Sequence, residues 1–219
     1  MKQSRSINPL SRRELIAGAG VAAIGLALPS LLSAHTRWSG PIESTNPSVF
    51  DPHKPRLLPR ALAALDTHAN RISKRDLLGV VDFSEPSRVP RFHLVDVRSG
   101  QVTTHLVAHG KGSDPDHSGW VQRLSNKPDS NASSRGAFVT GHSYIGKHGL
   151  SRRLVGLDAE NNLAESRGIV IHAASYVNDA LAAGRGRIGR SQGCFAVGDV
   201  VIRQVMERLG PGRLVFAWK

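Results

Sequence analysis

The spacing of apolar positions changes twice along this 219-residue chain. Residues 15–34 (LIAGAGVAAIGLALPSLLSA) are an almost unbroken apolar stretch with no charge after Glu14. In residues 58–74 (LPRALAALDTHANRISK), Leu58, Leu62, Leu65 and Ile72 fall near helical spacing, which predicts an amphipathic helix starting at Pro59. From residue 77 onward the period drops to two. Residues 77–83 form a short apolar run. Residues 91–97 alternate through Phe92 and Leu94 to the β-branched Val95 and Val97, and residues 102–108 alternate again after a Ser99-Gly100 turn signal. That pattern predicts a β-hairpin. Residues 136–140, 168–172 and 213–218 read as further strands, Trp120-Val121 as a short one, and 200–209 as a helix.

These segments divide the chain into an apolar leader (1–34), a Pro/Ser-rich linker (35–56), an N-terminal helical segment (57–75) and a main domain (76–219). Many short strands joined by turn-rich connections predict a mostly-β, sandwich or barrel-like domain with a few helices, preceded by a short helix. There is no internal repeat.

Composition adds charge to this picture. The net charge is +12, which points to anionic partners. The basic residues are scattered, without zinc-finger, helix-turn-helix or stacking-platform patterns, so nucleic acid is not the expected partner. No phosphate-loop motif is present, and nothing calls for a cofactor or a metal. The leader supplies the compartment. Ser11-Arg12-Arg13-Glu14-Leu15 resembles a twin-arginine signal, with Lys2 and Arg5 ahead of it and Pro29, Ser33 and Ala34 marking a cleavage region. The expectation is export to the periplasm or cell envelope, with no stable membrane insertion once the signal is removed. The alternative is a retained anchor, but alanine and glycine make this stretch a weak span.

Cys194 is the only cysteine, so a disulfide within the chain is excluded. It lies in GRSQGCF (189–195), downstream of IVIHAASY (169–176). A thiol acts as a nucleophile through its thiolate, and a neighbouring imidazole or positive field promotes that form. Arg185, Arg187 and Arg190 precede Cys194 and are candidates for attracting an anionic substrate, and His172 ends a strand-like run. Gly193 beside Cys194 would let backbone amides approach a developing oxyanion. Free cysteines are also among the most buried residues, so the local pattern reads equally well as a buried filler.

Six segments taken together carry a resemblance. FHLVDVRSGQ, LVAHGKGS, RLSNKPDSNASSRGAFVTG, YIGKHGLSRRLVGLD, IVIHAASYV and GRIGRSQGCFAV, in this order, resemble the YkuD-type murein L,D-transpeptidase catalytic-domain family across residues 90–218. The resemblance implies a YkuD-like catalytic domain and a cysteine acyl-transfer enzyme acting on peptidoglycan stem peptides. Cys194 would be the nucleophile and His172 the base. The Ala173 main chain would orient His172, Ser191 would match the motif serine, and the Gly193 and Cys194 amides would form the oxyanion hole. SYIGKHG (143–149) would lie over the cleft, with Tyr144, Lys147, His148 and Arg190 as substrate contacts. Arg152 and Arg153 read as a solvated face.

The sequence departs from the family pattern at four positions. Ala196 stands where many members of the wider family have arginine, an absence shared with the closer branch that the six segments resemble, and Ala173 where glycine is common. Gln192 and Phe195 replace a tryptophan and a proline, changes expected to alter the cleft walls. Two rival readings come from other classes. One is a zinc peptidase using His142, His148 and His172, although no H-E-x-x-H is present. The other is a non-catalytic envelope-binding module.

Overall fold

The computed structural model describes residues 55–219. The apolar leader and nearly all of the linker lie outside them. Helix α1 (Leu58–Thr67) starts with proline in its first turn, where a missing N–H costs nothing. It stops well short of residue 74, because the chain turns at His68, whose Nε2 pairs with Asp158 at 2.8 Å. Eight strands follow: β1 (Leu77–Asp82), β2 (Phe92–Asp96), β3 (Val102–His105), β4 (Gly136–Gly146), β5 (Gly149–Gly156), β6 (Val170–Ala173), β7 (Phe195–Val197) and β8 (Leu214–Trp218). Helix α2 (Asp179–Arg185) lies between β6 and β7, and α3 (Ile202–Arg208) between β7 and β8.

The fold is therefore mostly β with a few short helices, and the first helix precedes the strands. All eight strands join in one mixed sheet of order β3-β2-β1-β8-β4-β5-β6-β7. The β1–β8 and β6–β7 pairs are parallel and the others antiparallel. Past β3 the chain crosses to the other edge of the sheet. There Ala108 bridges Ala196 of β7, and Gly110 bridges Ser191.

Both faces of the central strands are covered, which explains why β1 reads as a continuous apolar run instead of an alternating one. Leu77 and Val81 pack into the main core with Phe92, Phe138, Ile171, Phe195 and the α3 residues Val205 and Met206. Leu78 and Val80 face the other way, under Leu57, Ala61 and Leu65 of the α1 segment. The helical segment thus packs on the sheet. Full burial of a leucine such as Leu65 stabilises by roughly 1.5–3 kcal/mol. Arg60 adds a guanidinium 3.9 Å over the Trp218 ring.

Three elements went unread in the sequence: β5, α2 and β7. Helix α2 is capped by Asn178, which accepts from Leu181 N–H at 2.8 Å, and ends at Gly186 in the left-handed conformation. Trp120-Val121 is not a strand. Asp114 draws the 118–119 turn inward by accepting from the Ser118 and Gly119 amides, and this leaves Trp120 exposed.

Candidate active site

Strands β6 and β7 are parallel neighbours, with Ile171 opposite Phe195 and His172 opposite Ala196. His172 sits near the end of β6, and Cys194 immediately precedes β7. Both side chains line one cavity of about 950 Å³. The same cavity is lined by Tyr144, Lys147 and His148 from the β4–β5 hairpin, and by Arg190, Ser191 and Gln192 from the loop before Cys194.

His172 is 2% exposed. Its Nδ1 lies 2.7 Å from the Ala173 carbonyl, which can only accept, so Nδ1 carries the proton and Nε2 is left as the basic nitrogen. Burial pushes its pKa below the ordinary histidine value. The Ala173 hydrogen bond opposes that shift, and charge on His148 and Lys147 adds to it. The imidazole is therefore held neutral and ready to take a proton.

The Cys194 thiol lies 3.5 Å from the Gly168 carbonyl, to which it donates. Burial pushes the thiol up, while the Val170 amide, Lys147 and Arg167 pull it down. At rest Cys194 is thus a thiol and His172 a neutral imidazole. A thiol and an imidazole brought within reach of each other can generate a nucleophile by proton transfer during attack.

Ser191 acts as a brace. Its Oγ accepts from the Gly193 amide at 3.1 Å and donates to the Cys194 carbonyl at 2.7 Å, closing the turn that carries the cysteine. The Gly193 amide is therefore engaged inside the turn, where the sequence reading had it facing an oxyanion. The Cys194 amide lies close to its own sulfur and helps lower the thiol's pKa. Gly193 has φ +117°, and a Cβ there would lie 2.8 Å from Ile169 Cδ1 and 2.9 Å from the Ala132 carbonyl. Only glycine fits.

A buried relay supports this turn from below. Arg91 is fully buried and donates to the Glu85 and Val107 carbonyls and to His109 Nδ1 at 2.7 Å. His109 Nε2 then donates to Asp114 at 3.3 Å, and the His109 carbonyl accepts the Ser191 amide at 2.9 Å. Burial and the Arg91 charge push His109 down to about 4, so it stays neutral.

The arginines separate into distinct roles. Arg190 lines the cavity, but its Nη1 donates to the carbonyls of Asp114 and Pro115, the latter at 3.1 Å. Arg185 and Arg187 do not line it. Arg152 is not solvated: it is 5% exposed and donates to the Gly141 and Met206 carbonyls. Arg153, on the opposite face of β5, is exposed and lies 4.9 Å over the Tyr144 ring.

Phe195 also departs from expectation. It points into the core, edge-on to Phe83 and Phe138, and only Gln192 of the two changed positions reaches the cleft. Ala196 is fully buried against Ala108, where an arginine would not fit.

Arg167 was missed by the sequence reading. Its Nη1 donates to the Ser125 carbonyl and Ser134 Oγ, and its Nη2 to Ser130 Oγ and the Ala132 carbonyl. Four bonds pin loop 125–134 along the cavity. The available signal was its place, five residues before His172 and just ahead of the IVIHAASY segment. Tyr176, four residues after His172, also lines the cavity and was missed. Among the described residues no group of three His, Cys, Asp or Glu side chains could hold a metal ion, and His142 lies outside the cavity.

The L,D-transpeptidase catalytic domain family matches residues 52–218. No curated protein matches the sequence. Solved structures similar to this chain include an L,D-transpeptidase from Mycobacterium smegmatis, at 13% identity over 66% of this chain and 59% of that one, with a TM-score of 0.41. The L,D-transpeptidase (residues 123–326) from Xylanimonas cellulosilytica is 17% identical over 73% of this chain and 70% of that one, TM-score 0.37. The helical cell shape determining protein Pgp2 from Campylobacter jejuni is 9% identical over 73% and 54%, TM-score 0.43. The chain thus spans about three fifths of the length of the Mycobacterium smegmatis protein.

Proposed function

This chain belongs to the L,D-transpeptidase catalytic domain family, and on that premise we propose that it is a cysteine acyltransferase acting on peptidoglycan stem peptides. The observation that carries the proposal is that His172 near the end of β6 and Cys194 just before the parallel neighbour β7 line one cavity, with His172 Nδ1 tied to the Ala173 carbonyl. Cys194 Sγ attacks the carbonyl at the L-centre of the diamino acid in a stem tetrapeptide, and His172 Nε2 takes the thiol proton. The C–N bond to the terminal D-alanine then breaks. His172 returns its proton to the leaving amine, and a thioester remains on Cys194. The amine of a second stem attacks the thioester to form a cross-link and regenerate the thiol. With water as acceptor the same site is an L,D-carboxypeptidase.

Lys147 lines the same cavity, and its positive charge acts on both His172 and Cys194. That charge suits a substrate ending in a carboxylate. The twin-arginine-like leader supports an assignment to the periplasm or cell envelope, where the substrate resides.

Purified protein lacking residues 1–34, incubated with tetrapeptide muropeptides, is expected to release D-alanine and give either cross-linked dimers or tripeptides. Cys194→Ala abolishes both products, and His172→Gln lowers the rate by about 10²–10⁴-fold. Full turnover by Cys194→Ala rules the reading out. Binding of sacculi without turnover by the unmutated protein favours the non-catalytic module.

A further inference from the structure

The His148 ring lies over the His172 ring, with centroids 4.3 Å apart and planes 21° from parallel. We propose that His148 is a positioning residue for the proposed base: its ring covers one face of His172 and confines proton exchange to Nε2. The inference rests on the reading of His172 as base.

The hairpin that carries His148 is built to present it. Gly146 pairs with Gly149 across a two-residue turn made of Lys147 and His148, and Gly149 has φ +70°. Just before the turn, the Tyr144 ring folds against Gly146, where a Cβ would meet it at 2.7 Å. Arg153 closes over Tyr144 from the neighbouring strand. The tip is thus pinned from its own base instead of hanging free.

His172 has few other neighbours that could fix its charge state. Its cross-strand partners are Ser151 on β5 and Ala196 on β7, neither of which titrates near neutrality. The titratable and charged groups that share its cavity are Asp129, Tyr144, Lys147, His148, Arg167, Tyr176, Arg190 and Cys194. Of these, His148 and Lys147 are the two whose charge acts on His172, and burial is the largest influence on it. The Ala173 carbonyl fixes the ring through Nδ1, the His148 stack covers a face, and Nε2 remains. Stacking of this kind favours one orientation of the His172 ring.

The test compares His148→Ala, which removes the ring, with His148→Phe, which keeps the stack and cannot titrate. The His172 ring is titrated by NMR in each protein, and the acid limb of the kcat/KM–pH profile is recorded. Because neutral His172 is the active form, hydrating it raises its pKa and moves the acid limb to higher pH. His148→Ala is expected to shift both readouts upward by at least half a pH unit and lower kcat at pH 6 by several-fold. His148→Phe keeps the face covered and removes only the His148 charge, so the His172 titration and the acid limb shift upward by clearly less than in His148→Ala. Equal shifts in the two variants, or no shift in either, overturn the proposal. The NMR titration needs no turnover, so it decides the stack even if the acyltransferase reading fails.

Discussion

At the scale of single residues, neighbours in sequence carry opposite roles, and Arg152 and Arg153 show why. Adjacent strand residues face opposite sides of a sheet. Arg152 turns inward to bond the Gly141 carbonyl at the β4 irregularity and the Met206 carbonyl in α3, while Arg153 stays at the surface. Arg152→Ala removes the donor to both carbonyls and is expected to cost about 1–3 kcal/mol. Arg153→Ala should fall within about 0.5 kcal/mol, the usual range for surface substitutions. Urea unfolding of the two variants checks the contrast. Gly193 is equally constrained. Gly193→Ala puts a Cβ against Ile169 and the Ala132 carbonyl at a positive φ. The variant should lose muropeptide turnover and alkylate Cys194 at a changed rate, which a timed thiol-labelling assay measures.

At the scale of elements, the site is a meeting of the β6–β7 edge, the β4–β5 hairpin and loop 125–134. The first was legible in part, since the three-residue β7 went unread. His172 and Cys194 sit in motifs whose order marks them, and the strand before His172 reads from its β-branched residues. The hairpin was half legible, because β4 was read as ending at Thr140 although it continues to Gly146 past a bulge. Bulges insert a residue and break the period-two signal. The loop clamp was not legible, since Arg167 bonds carbonyls and serine hydroxyls that no spacing rule pairs with it. Arg167→Ala is expected to free loop 125–134. Limited proteolysis should then cut within it, and turnover should fall by an order of magnitude or more as positioning is lost. An uncleaved loop with full activity would show the clamp to be dispensable.

At the scale of the whole molecule, buried histidines couple the sheet to pH. His109 is held neutral at the centre of the relay under the cysteine turn, with its pKa down at about 4. The unfolded chain binds a proton there near pH 6.5 and the folded chain does not until about 4. The contribution is therefore complete above pH 6.5 and is lost as pH falls through that window, by about 3 kcal/mol in all. His93, His105 and His172 are shifted in the same direction by burial and add to the acid sensitivity. His109→Gln keeps an acceptor for Arg91 and a donor for Asp114 without titrating. Its stability relative to the unmodified protein should improve steadily between pH 6.5 and 4 in denaturant titrations. A constant difference across that range would place the acid sensitivity elsewhere.

The claim on which the molecule's function turns is that Cys194 carries the acyl group. Intact-mass spectrometry of the protein quenched in acid during turnover of a tetrapeptide muropeptide measures it directly. An adduct equal to the donor less D-alanine is expected, mapping to Cys194 and removed by added amine or by time at neutral pH. Released D-alanine without any adduct in the unmutated protein, or an adduct that persists in Cys194→Ala, contradicts it.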